Sequence, residues 1–530
     1  MKTLYYNASV YTGTLPLQEA FLVEDGKFLY AGTTVQALTF APDRTVDLGG
    51  NFVCPGFIDS HMHLLNYGQS LTIAPLHRNT NSLAAMLECL KKTRPGRGGW
   101  ILGRGWNQDF FTDAQRMPDR YDLDKVSTEF PVCAVRACGH ALSVNSKVLE
   151  LLGIQEAVEI PGGEVVTKNG IPTGVFFDNA MELVYKTIPA PDKEDVKAML
   201  RAACKALNAQ GITGCHSDDY CVFQNLGWQV IHDAYRELEE SGELTVKVYE
   251  QANFPLLEDL QEYLNAGNCT GAGTERFRIG PLKLLGDGAL GARTALLSRL
   301  YADAPDTLGL GVFTKEQMEA LVLCAHEAGM QVAVHSIGDG CLDMVLDAFE
   351  KALTAYPRQN HRHGIVHCQI TRPDQLERIA RLKLHVYAQS IFLDYDLHIV
   401  TQRVGEALAA TSYSWKTLME MGATVSNGSD CPVEEPKALS GIQCAVTRRD
   451  LKGQGPYLES EAFTVQEALD SFTKWSAYAA FEEHIKGQLA PGMAADFTVL
   501  GNNPFKTDPQ ELKNIPILAT YVDGEPVFTL

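Results

Sequence analysis

Eight short apolar runs, spread through the middle of the chain, constrain this sequence more than any other feature. They lie at Val53–Ile58, Ile212–His216, Thr245–Tyr249, Ile279–Leu285, Gln331–His335, Gly364–His367, His385–Gln389 and Ala423–Ser426. The later ones alternate with amphipathic stretches of helical period, and strands that alternate with helices predict a parallel sheet covered by helices. Eight such strands predict a (β/α)8 TIM barrel of class α/β, whose chemistry sits on loops at the C-terminal ends of the strands. One helix is framed by a capping box, Thr314 with Gln317, and stops at Gly329. Thr371 with Asp374, and Thr464 with Glu467, mark two more starts of this kind.

The two ends of the chain read differently. Ala20–Glu24 and Lys27–Ala31 flank Asp25-Gly26, and Ala519–Val522 and Pro526–Phe528 flank Asp523-Gly524, so each end predicts a β-hairpin. Paired together, residues 1–56 and 486–530 make one small β domain, which leaves 57–485 for the barrel. About 150 residues separate the first two candidate strands, far more than a βα loop needs. An inserted subdomain at about 75–205, rich in Trp, Arg, Gly and Asp, is therefore expected.

Composition excludes several functions. Of 530 residues, 45 are Lys or Arg and 65 are Asp or Glu, a formal net charge of −20. Such a chain has no basic stripe for nucleic acid and no attraction to anionic membranes. No apolar run reaches the length of a membrane span, and the N-terminus carries no apolar core of a signal peptide. The 13 cysteines are odd in number and contain no Cys-x-x-Cys pair, the pattern of reduced thiols in a cytoplasmic protein. No sequence feature demands a partner chain; a homodimer is the assembly to test.

The chemistry concentrates at strand ends. FIDSHMHL, residues 57–64, places His61 and His63 two apart on a strand, so both imidazoles face one side and can share an ion. His335 closes QVAVH, His367 closes GIVH, and Asp430 follows VSNGS. Imidazoles and a carboxylate at the mouths of several strands point jointly to a metal site. Lys283 is the unusual neighbour, since an ammonium repels metal ions and a strand-end lysine is ordinarily a surface group. Carboxylation would turn it into an anionic carbamate able to bridge two zinc ions. With hydroxide and Asp430 it would leave the pair a single net positive charge, which a partly buried site holds far more easily than four. Gly286-Asp-Gly288-Ala-Leu-Gly291 matches a dinucleotide fingerprint, but Pro305 and Gly309 interrupt the stretch in which its acidic partner should lie.

The chain resembles the amidohydrolase superfamily, in particular the amidohydrolase family 3 or YtcJ-like branch that includes N-substituted formamide deformylase. PGFIDSHMHL (55–64), WILGRGWNQ (100–108), KLLGDGALGARTA (283–295), VAVHSIGDG (332–340), HGIVHCQ (363–369) and GSDCPV (428–433) carry the resemblance. It implies a metal-binding barrel with a small β-sandwich built from both termini. It also implies two Zn²⁺ per chain, one held by His61, His63, carboxylated Lys283 and Asp430, the other by Lys283, His335 and His367. A metal-bound hydroxide would attack the amide or other non-peptide C–N bond of a small molecule, such as an N-substituted formamide or N-acyl amide. Asp430 would carry its proton to the leaving nitrogen. Cys368 and Cys431 replace the usual small residues and are expected to pack rather than ligate. Arg104, Trp106, Arg136 and His140 of the insert, with Arg293, are candidates to contact substrate. Two alternatives remain: a non-catalytic or regulatory barrel relative, and a mononuclear metal-dependent hydrolase or isomerase.

Overall fold

The computed structural model describes residues 1–76, 81–136, 141–160, 163–223 and 226–530. The chain divides into two compact units, one of residues 1–64, 204–221 and 235–530 and one of 65–203 and 222–234.

In the first unit eight parallel strands follow one another in a sheet: β1 (Phe57–Met62), β2 (Ile212–Ser217), β3 (Lys247–Asn253), β4 (Phe277–Leu285), β5 (Val332–Ser336), β6 (Gly364–His367), β7 (His385–Ala388) and β8 (Thr424–Asn427). Every residue of β1 and β2 is buried, as expected where helices cover one face and the barrel interior the other. Past β8, the Asp430 amide donates to the His61 carbonyl (2.8 Å) and the His63 amide to the Cys431 carbonyl (2.8 Å). The barrel therefore closes through the loop that carries Asp430. Gly428 makes this approach feasible, because a Cβ there would lie 2.6 Å from both the Asp59 carboxylate and the His61 nitrogen.

One expected strand is really two. The run Val53–Ile58 divides at Gly56 into Phe52–Pro55, which pairs with Phe497–Leu500, and β1 of the barrel. A Cβ on Gly56 would meet Thr213 Oγ1 at 2.2 Å, so the chain can change sheets there only without a side chain. The capping boxes at Thr314 and Thr464 form with Gln317 and Glu467. The third start lies one residue later than Thr371: the helix is Pro373–Arg381, and Gln375 Oε1 accepts the Arg372 amide (3.0 Å). Thr371 instead donates its hydroxyl to the Thr411 carbonyl (2.5 Å).

Two sheets from the chain ends also belong to this unit. One orders Lys27–Gly32, Ala20–Glu24, Lys2–Tyr6 and Arg44–Asp47; the other orders Ser9–Val10, Phe52–Pro55, Phe497–Leu500, Ile517–Val522 and Glu525–Thr529. Tyr5 and Phe21 of the first sheet and Val53, Phe497 and Val499 of the second share one buried cluster. Buried Lys247 of β3 bonds Asp496 (2.8 Å) and Asp523 (2.6 Å), tying the barrel to the C-terminal strands.

The second unit has its own seven-stranded sheet, ordered Glu159–Ile160, Gly163–Lys168, Ile171–Asp178, Ala141–Val144, Val132–Arg136, Ile101–Trp106 and Ala74–Pro75. Its core includes Trp106, Leu123, Leu142 and Phe176. Among the described residues, no helix is long and apolar enough to cross a membrane.

Candidate metal centre

The site is built from the C-terminal ends of the barrel strands. His61 lies in β1 and His63 one residue beyond it, and each has one ring nitrogen already committed. His61 Nδ1–H donates to Gln251 Oε1 (2.7 Å), an amide held in turn by its Nε2–H on the Ser60 carbonyl (3.4 Å). His63 Nδ1–H donates to the Asp218 carbonyl (2.9 Å). Both partners are acceptors, so in each neutral imidazole the proton sits on Nδ1 and the lone pair on Nε2. Both Nε2 atoms lie 3.3 Å from the same oxygen, Asp430 Oδ1.

Two imidazoles thus converge on one carboxylate oxygen, an arrangement that suits a shared cation. Burial pushes His61 down to about 4, helped by the nearby charge of Lys283, so near neutral pH its lone pair faces a carboxylate. Burial also opposes a charge on His63, yet the hydrogen bonds to Asp430 and Cys221 and the neighbouring carboxylates raise it well above the usual histidine range. Burial opposes ionisation of Asp430, but the facing imidazoles outweigh it and hold the acid well below the usual carboxylate range.

His367 adds a third imidazole. Its ring is 5.6 Å from that of His61 and 4.4 Å from that of His335, and its Nδ1 is buried with no hydrogen-bond partner. Burial, with His335 nearby, keeps it neutral by lowering it well below the usual range. Donor atoms of His61, His367 and Asp430 lie within 4.8 Å of one another. Imidazole nitrogen with carboxylate oxygen is a donor set for zinc or a similar divalent ion. His367, Cys368 and Asp430 all adopt positive φ (74°, 50° and 56°), a conformation costly for non-glycine residues and concentrated at functional sites. Trp415 Nε1–H holds the strained turn by donating to the His367 (3.2 Å) and Cys368 (3.1 Å) carbonyls.

The remaining expected ligands stand farther out. Lys283 is buried in β4, with Nζ 3.7 Å from Asp218 Oδ2. His335 Nε2 lies 3.2 Å from both the Gly288 carbonyl and Asp287 Oδ1. Cys368 and Cys431 are buried, and burial raises both thiols, Cys368 to about 12.

Several residues at the site were not singled out by sequence reasoning. Asp218, just past β2, bonds His63 through its carbonyl and faces Lys283, Asn253 (3.1 Å) and Cys221 (3.4 Å) through its carboxylate. Asp59 accepts Ser429 Oγ (2.5 Å) and the Ser429 amide (3.0 Å), and also the His61 amide (3.2 Å), so one carboxylate clamps the Asp430 loop to β1. Gln251 orients His61, and Asp287 faces His335. The available signal was position, since Asp218 directly follows β2 and Asp287 lies two residues past β4.

Three of the expected substrate residues make local bonds, and a fourth is exposed. Trp106 is fully buried and donates to the Ala134 carbonyl (2.9 Å). Arg136 bonds Gln108 (2.8 Å) and Asn107 (3.0 Å), and Arg104 is exposed. Arg293 pairs with Asp303 (2.8 Å). His140 lies outside the described residues.

Comparison with known proteins gives the family of the chain. A family model described as the amidohydrolase family matches residues 44–528. The putative amidohydrolase YtcJ of Bacillus subtilis (strain 168) is 34% identical over 541 residues, covering 100% of this chain and 99% of that protein. N-substituted formamide deformylase of Arthrobacter pascens is 26% identical, covering 96% and 94%. The crystal structure of an uncharacterized metal-dependent hydrolase from Pyrococcus horikoshii OT3 superposes with a TM-score of 0.80 at 30% identity, covering 96% of this chain and 99% of that one. The chain belongs to the amidohydrolase family and is a metal-dependent hydrolase acting on carbon–nitrogen bonds.

Proposed function

We propose that the protein hydrolyses a small-molecule amide, an N-substituted formamide or N-acyl amide, with two zinc ions bound at the barrel mouth. His61, His63 and Asp430 would hold one ion, His335 and His367 the other, with Lys283 as a carbamate between them. The observation that carries this reading is the convergence of two imidazole Nε2 atoms on Asp430 Oδ1 at 3.3 Å, beside the unpartnered Nδ1 of His367.

When bound, the ions would supply Lewis acidity and bring water towards ionisation near neutral pH. The chain's own groups do the rest. Gln251 and the Asp218 carbonyl keep the protons of His61 and His63 on Nδ1, which leaves Nε2 free to ligate. The Asp430 carboxylate takes a proton from the attacking water and delivers it to the amide nitrogen as the C–N bond breaks, so acid and amine leave in balance. Asp218 neutralises Lys283 while that lysine is unmodified. The relative named a formamide deformylase supports the substrate class.

The test is turnover by metal-loaded protein on a panel of N-formyl, N-acyl and cyclic amides, with mass analysis of the Lys283 peptide kept under carbon dioxide. Cleavage of a formyl or acyl amide and a carbamate on Lys283 are expected. A fully loaded protein that cleaves no member of the panel contradicts the substrate reading. An unmodified Lys283 in active protein contradicts the bridge.

A further inference from the structure

The turn after β2 carries a second set of metal-ligating groups. Asp218 follows the strand directly, and Cys221 stands three residues further on. Donor atoms of His63, Asp218 and Cys221 lie within 4.8 Å of one another. This set shares no residue with the trio His61, His367 and Asp430, and it differs in kind because it includes sulfur. Among the described cysteines Cys221 alone is exposed, whereas Asp218 is buried and His63 half-buried. An ion arriving from solvent therefore meets the thiol first.

The barrel holds these groups in place. The Asp218 amide donates to the Met62 carbonyl (3.0 Å). Next to it, the Asp219 carboxylate accepts Ser217 Oγ (2.7 Å) and the Tyr235 hydroxyl (2.5 Å), and the Asp219 amide donates to Glu250 (3.0 Å). The two oxygens of Asp218 face different partners. Oδ2 accepts Asn253 Nδ2 (3.1 Å) and faces Lys283 Nζ (3.7 Å), while Oδ1 faces Cys221 Sγ at 3.4 Å. Tetrahedral zinc, with bonds of about 2.3 Å to sulfur and about 2.0 Å to oxygen, holds such a pair about 3.5 Å apart. Thiol and carboxylate thus already stand at ligand spacing, and His63 is hydrogen-bonded to the same thiol. Cys368 and Cys431 adjoin expected ligands in sequence, yet neither enters a donor group among the described residues.

We propose that His63, Asp218 and Cys221 form a second cation site, for zinc or another thiol-seeking divalent ion, whose filling withdraws His63 from the candidate centre. The thiol releases its proton to solvent as sulfur binds the ion, and a water completes the tetrahedron. Thiolate and carboxylate together balance the charge of the ion. A neutral imidazole offers one ring nitrogen as a ligand, so His63 serves one ion at a time. The outer site has three protein ligands and competes for one of them, so it fills only when metal exceeds the needs of the centre. Excess metal then inhibits the enzyme. The site itself does not depend on the amide-hydrolase reading; only the inhibition does.

The test adds Co²⁺ to zinc-loaded, desalted protein, wild type and Cys221→Ser, with melting used to check each fold. The wild type should bind one further ion per chain and develop the near-ultraviolet band of cobalt bound to thiolate, which Cys221→Ser should lack. Asp218→Asn keeps the thiol and should need about ten-fold more cobalt for the same band. While the band develops, plasma mass spectrometry should show the wild type losing zinc from the centre several-fold faster than Cys221→Ser. On any amide that is cleaved, half-inhibition should need several-fold less cobalt in the wild type, each rate being taken relative to the same protein without cobalt. No band in the wild type, a band that persists in Cys221→Ser, or one unmoved by Asp218→Asn overturns the site. Equal zinc loss in wild type and Cys221→Ser overturns the competition for His63. The expected band and zinc loss in a protein that cleaves no amide uphold the site while the amide reading falls.

Discussion

Two groups of histidines in the same barrel meet opposite fates. At the base of β5 and β6, His326, His361 and His363 are buried with every ring nitrogen partnered. His363 Nδ1 accepts the Val332 amide (3.0 Å) and its Nε2 meets His326 Nδ1 (2.8 Å). His326 Nε2 reaches the Tyr356 carbonyl (2.6 Å). His361 Nδ1 accepts the His363 amide (2.9 Å), and its Nε2 reaches the Leu382 carbonyl (3.0 Å). At the mouth, His61 and His63 aim Nε2 at one carboxylate oxygen, and His367 leaves Nδ1 bare. Burial does not distinguish the two groups; satisfaction does. A histidine whose partners are all in place serves the fold, whereas a cluster that converges on one carboxylate and leaves a ring nitrogen bare suits a cation.

That contrast can be broken by mutation, because the mouth should govern function and the base stability. The largest effect belongs to Asp430→Asn, which should lower turnover by roughly 10²–10⁴-fold while the melting temperature changes little. Steady-state rates on a cleaved amide measure it, and retained activity would remove Asp430 as the proton carrier. Asp59→Ala touches the mouth indirectly by freeing the Ser429 amide and hydroxyl that fix the Asp430 loop. It should weaken metal binding about 10–100-fold, read by competition with a chelator.

At the base, His363→Ala strands the Val332 amide and His326, and removes a ring stacked on Phe349 (5.3 Å). A cost of about 2–3 kcal/mol in urea unfolding, with metal content preserved, is expected. The smallest effect is a pH dependence. Burial pushes His361 down to about 4, while an unfolded histidine titrates near about 6.5. Its folded value is depressed, so its contribution is complete above about 6.5 and is lost as the pH falls towards about 4. Between pH of about 7 and about 4.5, His361→Gln should lose roughly 1–2 kcal/mol less stability than the wild type. Parallel losses in the two proteins would show that His361 carries no such term.

The barrel was legible because parallel strands buried on both faces read as unbroken apolar runs, and Gly364–His367 has the same limits in sequence and structure. The change of sheets at Gly56 was not, since Phe52–Pro55 and β1 are equally apolar and only the nearness of Thr213 separates them. The helix after β6 was misplaced by one residue because Thr371 resembles a cap, whereas Pro373 marks the first helical position. At the site, His-x-His stands out by its spacing. Asp59, Asp218 and Gln251 do not, because among 65 acids a carboxylate acquires its role only from what the fold brings beside it. Trp106 and Arg136 read equally as anchors of the insert or as substrate contacts, and in the structure both make local hydrogen bonds.

Metal content per chain, measured by plasma mass spectrometry on protein prepared with ample zinc, decides whether the barrel mouth is a metal centre. About two zinc ions should be bound in the wild type, with a clear loss in the double variant His61→Asn/His63→Asn, which leaves the histidines at the base intact. Wild-type protein free of metal under those conditions, or a double variant that keeps the full complement, would contradict the assignment.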